Sequence, residues 1–399
     1  MFGVEELDFI LSPAGRAVLD EVAAEPLTPD TRLATAARLR ERLGPERAGV
    51  VLEMALLRQR ATRKFSRAGH MFFTRDGLEQ ATAEAVARHR AARYAAAGLD
   101  RVADMGCGIG GDALALAVAG CDVIAIDREY AHVTLARANA AAYDAGDRVW
   151  PLLADLTELP PPAVDAFFFD PARRTPSGPR LAPGRRLRSV EEYRPPLSLI
   201  DAWRPRVPDG AVKVSPGIDY NELPPEAEAE FVSLGGEVKE AVLWFGALRS
   251  DAGRRATVLP AGVTLTDREN GEVEIAPPRA CLYEPDGAVI RAHLVGQLAQ
   301  LIGATLLNPE IAYLTTDAPL TTPFATGYLI EDHFPFQLKR LRHALRERDV
   351  GAVTIKKRGS PLDPDTLRAS LRLRGSEHRF VFLTRVAGRH TVMLARALG

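Results

Sequence analysis

The stretch RVADMGCGIGGD, residues 101–112, constrains the chain more than any other, because closely spaced glycines follow a short apolar run and a carboxylate sits inside it. Val102 and Ala103 read as the end of a buried strand, and residues 112–119 (DALALAVA) predict a helix, so the glycines fall in a strand-to-helix turn. Such a turn needs residues without a Cβ, both to bend sharply and to let a ligand approach the backbone. The helix start beyond it offers free N–H groups. The unit predicts an α/β fold with a ligand at the turn.

Two ligands satisfy that spacing. Gly106, Gly108 and Gly111 fit the dinucleotide fingerprint G-x-G-x-x-G. Gly106, Gly108 and Gly110 fit an alternating D-x-G-x-G-x-G pattern that resembles motif I of class I S-adenosylmethionine (SAM) methyltransferases. Asp104 separates the two, since a dinucleotide fold usually keeps an apolar residue there. A buried carboxylate is costly without partners, and the turn's own N–H groups and a ligand ammonium are the natural ones. Cys107, inside the turn, reads as a small residue that fits rather than as a catalytic thiol.

The strands that follow carry acids at their tips. Residues 121–127 (CDVIAID) form a second strand ending on Asp127, whose two oxygens can accept both ribose hydroxyls of either ligand. After a helix over 130–142, residues 148–154 give a third strand leading to Asp155. This acid and the Leu156 backbone N–H resemble the methyltransferase position that holds the adenine. The fourth, VDAFFFDPARR (residues 164–174), ends on Asp170-Pro171. It resembles motif IV, the D/N-P-P-Y/F/W signature of methyltransferases that modify exocyclic amines. The lone pair of such an amine is delocalised into the ring, and acceptors that hold its N–H groups make it nucleophilic. The Asp170 carboxylate and the carbonyl after it can do this, while Pro171 fixes the turn and has no N–H to compete. The chain departs from the motif at Ala172, where a second proline is usual, and at Arg173, where an aromatic usually stacks on the base. Arginine can stack or hold a phosphate instead, which leaves the target atom open. From Arg173 to Arg194 there are seven arginines against two acids, and Arg174, Arg185 and Arg186 are candidate RNA contacts.

Around this core, residues 1–97 read as helical, with one helix over 77–97 capped by Thr74 or Asp76. By analogy with amino-group methyltransferases, Phe73, Gln80 and Thr82 are candidates to close over the cofactor. A fifth strand at 211–214 and a closing antiparallel pair at 237–246 and 255–260 complete a seven-stranded, Rossmann-like class I sheet. Further on, Asn270-Gly271 predicts a hairpin. Residues 284–286 predict the cap of a helix reaching about residue 302. Beyond these come a basic helix, the strand AVTIKKRG, a second helix and a final strand pair. IKKRG and the closing LTRV pair resemble the THUMP-like domain of a group of bacterial methyltransferases related distantly to the RNA guanine-N2 enzymes. The expected organisation is an N-terminal helical domain (1–97), a SAM-binding domain (98–262), a connecting α+β segment (263–334) and a basic THUMP-like domain (335–399).

Charge supports a polyanion partner. Residues 335–399 hold 15 Lys and Arg against 5 acids in a chain of net charge −1. Lys356, Lys357 and Arg358 are candidate phosphate contacts, although 45 of the 51 basic residues are arginine, which makes arginine alone a weak signal. Acids near the N-terminus, where a secretory leader carries bases, and the lack of a long apolar run predict a cytoplasmic protein without a membrane span. Three scattered cysteines predict neither disulfides nor a metal site. The expected activity is SAM-dependent methylation of an exocyclic base nitrogen in rRNA or tRNA. Methylation of a protein or small molecule, and a SAM- or dinucleotide-binding module without turnover, are the alternatives.

Overall fold

The computed structural model describes residues 3–172 and 189–398, and the chain divides into two compact units. The first comprises Met1–Ala227 with Ala241–Ser250, and the second Glu228–Glu240 with Asp251–Gly399.

The first unit opens with helices α1 (Val4–Leu11), α2 (Pro13–Ala23), α3 (Pro29–Leu43), α4 (Pro45–Ala61), α5 (Arg75–Gln80) and α6 (Glu84–Ala96). Pro13, Pro29 and Pro45 each begin a helix, where a missing N–H costs nothing. The single helix expected over 77–97 is two helices. Thr74 caps α5 by accepting the Gly77 N–H at 3.0 Å. At its other end the Lys64 ammonium donates to the carbonyls of Leu78, Glu79 and Ala81 at 2.7, 3.0 and 2.8 Å. With those carbonyls satisfied, residues 81–83 leave the helix and carry Thr82 into the interior.

Strand β1 (Arg101–Met105) leads through the glycine turn into α7 (Gly111–Val118). There follow β2 (Asp122–Asp127), α8 (Tyr130–Ala141), β3 (Val149–Leu153), β4 (Ala166–Phe169), α9 (Leu199–Trp203) and β5 (Asp209–Val214). The five strands pair in parallel in the order β3-β2-β1-β4-β5. The run Phe167, Phe168, Phe169 is fully buried, as a strand covered on both faces requires. Of β6 (Glu228–Leu234) and β7 (Glu237–Phe245), the Ala241–Phe245 part of β7 belongs to this unit and pairs antiparallel with β5.

The first unit therefore holds six of the seven strands expected. The strand expected to close the sheet, β8 (Arg254–Leu259), lies in the second unit and runs parallel to β6. The sequence hides β6 because it carries two buried acids. Glu228 is held by Arg255 at 2.6 Å and Glu230 by the Thr257 hydroxyl, both across the ladder to β8.

In the second unit β8 forms a tight hairpin with β9 (Val263–Thr266). The hairpin expected at Asn270-Gly271 is absent. Gly271 lacks the positive φ that a type I′ turn requires, and its backbone oxygen lies where a side chain on Gly296 would stand. Then come β10 (Cys281–Pro285), α10 (Gly287–Arg291), α11 (Val295–Ile302), β11 (Thr305–Asn308), β12 (Ile311–Thr316) and β13 (Ala325–Pro335). The chain ends with α12 (Leu338–Glu347), β14 (Val350–Lys357), α13 (Pro364–Leu371), β15 (Glu377–Val386) and β16 (Arg389–Ala397). Asp286 caps α10, while Glu284 and Pro285 belong to β10. The expected helix to residue 302 breaks near His293, at φ 56°. Seven strands form one sheet in the order β11-β12-β10-β13-β16-β15-β14. Among the described residues no helix is long and apolar enough to cross a membrane.

Asn139 ties the N-terminal helices to the glycine turn. Its amide accepts the Phe72 N–H at 2.7 Å and donates to the carbonyls of Phe72 and Ile109 at 2.9 and 2.8 Å, all in the interior. Asn139→Leu leaves three buried backbone groups without partners, so the expected loss of stability is about 2–3 kcal/mol or more. Urea unfolding followed by circular dichroism checks it; a loss under about 0.5 kcal/mol would mean that water replaces the amide.

Candidate active site

The glycine turn settles which of its glycines the backbone requires. Gly106, Gly108 and Gly110 have φ of +79°, +52° and +81°, the left-handed region that a Cβ disfavours. Gly111 is helical, and a Cβ there would meet nothing nearer than 3.7 Å. The alternating triplet is thus the geometric necessity, not the dinucleotide triplet. Space over Gly108 is open, with no atom within 4 Å of a Cβ position. A Cβ on Gly106 would stand 3.3 Å from the Asp170 carbonyl.

Four expected acids gather at the carboxyl ends of the parallel strands. Asp104, on β1, is 1% exposed. One of its oxygens accepts the Ala113 N–H, and Oδ2 has no partner among the described residues. Burial pushes its pKa well above the usual carboxylate range. The charges of Asp112 and Asp170 push the same way, and Arg90 opposes them.

Asp127, ending β2, accepts the Gly108 N–H through Oδ2 and the Glu129 N–H through Oδ1, each at 3.0 Å. His132 Nδ1 stands 3.2 Å from Oδ2. Burial alone would raise the Asp127 pKa, but His132 and the two N–H groups outweigh it and hold the carboxyl below its ordinary range. Burial likewise disfavours the His132 imidazolium, and the facing carboxylate overcomes it and raises the His132 pKa.

Asp155, after β3, is exposed and accepts the hydroxyl and N–H of Thr157 at 2.7 and 2.9 Å, which lower its pKa. Leu156 beside it is buried. Asp170, after β4, gives its Oδ2 to the Lys213 ammonium at 2.6 Å, and Pro171 follows in a buried position.

Lys213, Thr82, Asp112 and Arg90 complete the site. Lys213 also donates to the Thr82 hydroxyl at 2.9 Å, Thr82 donates to Asp112 Oδ2 at 2.9 Å, and Arg90 pairs with the other oxygen of Asp112. Of the residues expected to close over the cofactor, Thr82 alone joins this chain of contacts; Phe73 is buried in the helical core and Gln80 is exposed. Lys213 is not among the residues that the sequence motifs single out; its one local signal is a lysine inside the apolar strand AVKV. Burial pushes the Cys107 thiol well above its ordinary pKa, so it stays neutral. Arg173, Arg174, Arg185 and Arg186 lie outside the described residues.

In the second unit Lys356 pairs with Glu284 Oε2 and Arg358 with Glu284 Oε1 at 3.3 Å. Lys357 is exposed and donates to the Leu362 carbonyl at 3.2 Å. The three therefore do not form one free cationic patch.

Comparison with known proteins places the chain. It is 37% identical, over 363 residues, to an uncharacterised SAM-dependent methyltransferase of Mycobacterium tuberculosis strain H37Rv, covering 87% of this chain and 95% of the relative. The chain belongs to the SAM-dependent methyltransferases. The same figures hold for the protein of strain CDC 1551. Family models match as RNA cap guanine-N2 methyltransferase over residues 99–190, THUMP domain-like over 325–397, and a domain of unknown function over 3–61. The fold is shared with the crystal structure described as "putative methyltransferase from Porphyromonas gingivalis W83", at a TM-score of 0.75 and 20% identity, with both chains covered fully.

This methyltransferase uses SAM as its cofactor, and the residues present suit it: a buried carboxylate oxygen without a partner beside a turn with open space can take an ammonium.

The raised His132 pKa has a signed consequence. Its pairing with Asp127 adds stability that is fully present below the unfolded histidine value of 6.5 and is lost as pH rises through the higher folded value. In thermal melts from pH 5 to pH 9, the advantage of the wild type over His132→Gln should be constant in the acid range and shrink above neutrality. An advantage independent of pH would remove the pairing from the account.

Proposed function

We propose that this methyltransferase acts on an exocyclic nitrogen of an RNA base in the cytoplasm. In this reading Asp104 receives the cofactor's ammonium and Gly106, Gly108 and Gly110 let it lie against the backbone. Asp127 takes the ribose, and Asp155 with Leu156 the adenine. SAM supplies an electrophilic methyl group carried on a sulfonium. The residues of the chain do the rest by position. The single observation that carries the reading is Asp170: its carboxylate keeps Oδ1 without a hydrogen bond among the described residues, and its carbonyl adjoins the glycine turn. That oxygen can accept an amine N–H and localise the nitrogen lone pair. Pro171 offers no competing donor. Arg173 is the candidate to stack on the base or hold a phosphate, with Arg174, Arg185 and Arg186 as RNA contacts.

The matches to RNA cap guanine-N2 methyltransferase and THUMP-like models support RNA as the substrate class. So does the surface of the second unit, on which Lys339, Arg346, Arg372 and Arg374 are exposed without an ion pair among the described residues. Lys356 and Arg358 contribute less than the sequence suggests, because Glu284 neutralises part of their charge. A protein or small-molecule substrate is the reading to adopt if this surface does not bind RNA.

Two measurements test this. In calorimetry S-adenosylhomocysteine should bind and NADH should not, with Asp127→Ala weakening binding by about 1–3 kcal/mol; an unchanged affinity would take Asp127 out of the site. For RNA, each neutralised phosphate on a single strand adds roughly −0.7 to the slope of log K against log salt. Replacing Lys339 and Arg346 with alanine should flatten that slope by up to about 1.4, and replacing Lys356 and Arg358 by less. Salt dependence equal in all three proteins would shift the substrate away from RNA.

A further inference from the structure

We propose that Lys213 is a positioning residue for methyl transfer: by occupying Oδ2 of Asp170 it leaves one ionised oxygen, Oδ1, as the acceptor for the target N–H. The inference rests on Asp170 as the amine's acceptor. It assigns a role to a residue on a different strand and explains why that acceptor is an aspartate.

Lys213 lies within β5 between Val212 and Val214, both fully buried, and is itself 4% exposed. An ammonium so placed is costly unless paired, and an apolar side chain would fill the strand at less cost. The chain nevertheless places a lysine here, one of six among its 51 basic residues. Arginine's planar fork binds a carboxylate through two oxygens, whereas an ammonium is a point charge that can take one and leave the other.

The direction of each hydrogen bond is fixed. Asp112 is held by Arg90 and accepts the single hydroxyl proton of Thr82, so Thr82 faces Lys213 with lone pairs only. Lys213 must donate to it, and donates to Asp170 Oδ2 as well. The groups facing this pair among the described residues are Asp104 from β1, Asp112 and Thr82 from α7 and the loop before α6, and Arg90 from α6. Arg90 and Lys213 balance Asp112 and Asp170, which leaves Asp104 for the cofactor. Without Lys213, three carboxyl groups would face one guanidinium, and both oxygens of Asp170 would be free to turn.

A donor-only neighbour also settles aspartate against asparagine. An asparagine at position 170 has one oxygen, which Lys213 would claim, and its amide N–H₂ would then face the N–H of the target. The two donors repel. Removing the ammonium frees that oxygen to turn toward the amine.

The test is a double-mutant cycle in the full chain, with transfer of labelled methyl from SAM to total RNA of a strain lacking the gene. Asp170→Asn should lower kcat on the order of 10²-fold, the scale for losing one preorganised transition-state contact. Lys213→Met should lower kcat about 10-fold, and Lys213→Arg, whose fork can take both oxygens of Asp170, should lower it as well. The decisive result is the pair: Asp170→Asn with Lys213→Met should exceed Asp170→Asn alone by about 10-fold, which a merely structural lysine would not produce. A double variant no better than Asp170→Asn alone would overturn the proposal, provided that both bind S-adenosylhomocysteine like the wild type. A substrate-free readout separates this from the RNA reading. In isotope-labelled wild-type protein the Lys213 ammonium nitrogen should show a coupling across its hydrogen bond to the Asp170 carboxyl carbon. If wild-type protein methylates no RNA but that coupling is seen, the substrate assignment fails and the Lys213 contact stands; if the coupling is absent, the proposal fails whatever the substrate.

Discussion

Burying the Asp104 carboxyl group at the carboxyl end of β1 creates the demand that the rest of the site is arranged around. One oxygen is satisfied by the Ala113 N–H at the start of α7 and the other by nothing in the described chain. Isolated, such a group is costly in the interior. Its acidic neighbours Asp112 and Asp170 add negative charge, and Arg90, which eases it in part, is paired with Asp112 as Lys213 is with Asp170. What the arrangement lacks is one cation at the mouth of the glycine turn. That deficit connects the fold to its chemistry, because the open space over Gly108 lies on the same turn.

The parallel sheet makes this concentration of acids tolerable. Strands that run in one direction place all their carboxyl ends on one edge, with the N–H groups of the following helices and turns aimed there. Asp127 shows the consequence: two backbone N–H groups and His132 hold it ionised despite its burial. Further from the core, Asp155 needs only Thr157.

Much of this was legible in local sequence. A glycine turn after an apolar run, acids at successive strand tips and the Asp170-Pro171 turn are each set by neighbours within a few residues. What escaped was set by distant partners. Thr82 and Arg90 meet Asp112 across 30 and 22 residues, and Lys213 meets Thr82 across 131, so no window of sequence contains the pair. The break between α5 and α6 has the same origin, since Lys64 satisfies carbonyls up to 17 residues away. Strand β6 is not legible because its buried glutamates find their partners on β8, Glu228 in Arg255 and Glu230 in the Thr257 hydroxyl, and its composition is polar. Lys356 and Arg358 are free charges in local sequence, but Glu284, more than 70 residues earlier, pairs with both.

The central claim, that Asp104 waits for a cation, is tested most directly by counting protons on cofactor-product binding. Burial holds this carboxyl group protonated to higher pH than an ordinary aspartate, and an arriving ammonium should make it ionise. Calorimetric titration of S-adenosylhomocysteine in buffers of different ionisation enthalpy, repeated from pH 5.5 to pH 7.5, measures the exchange. Net proton release is expected within that range, and it should disappear in Asp104→Asn. Binding with no proton release at any pH, or the same release from Asp104→Asn, would contradict it.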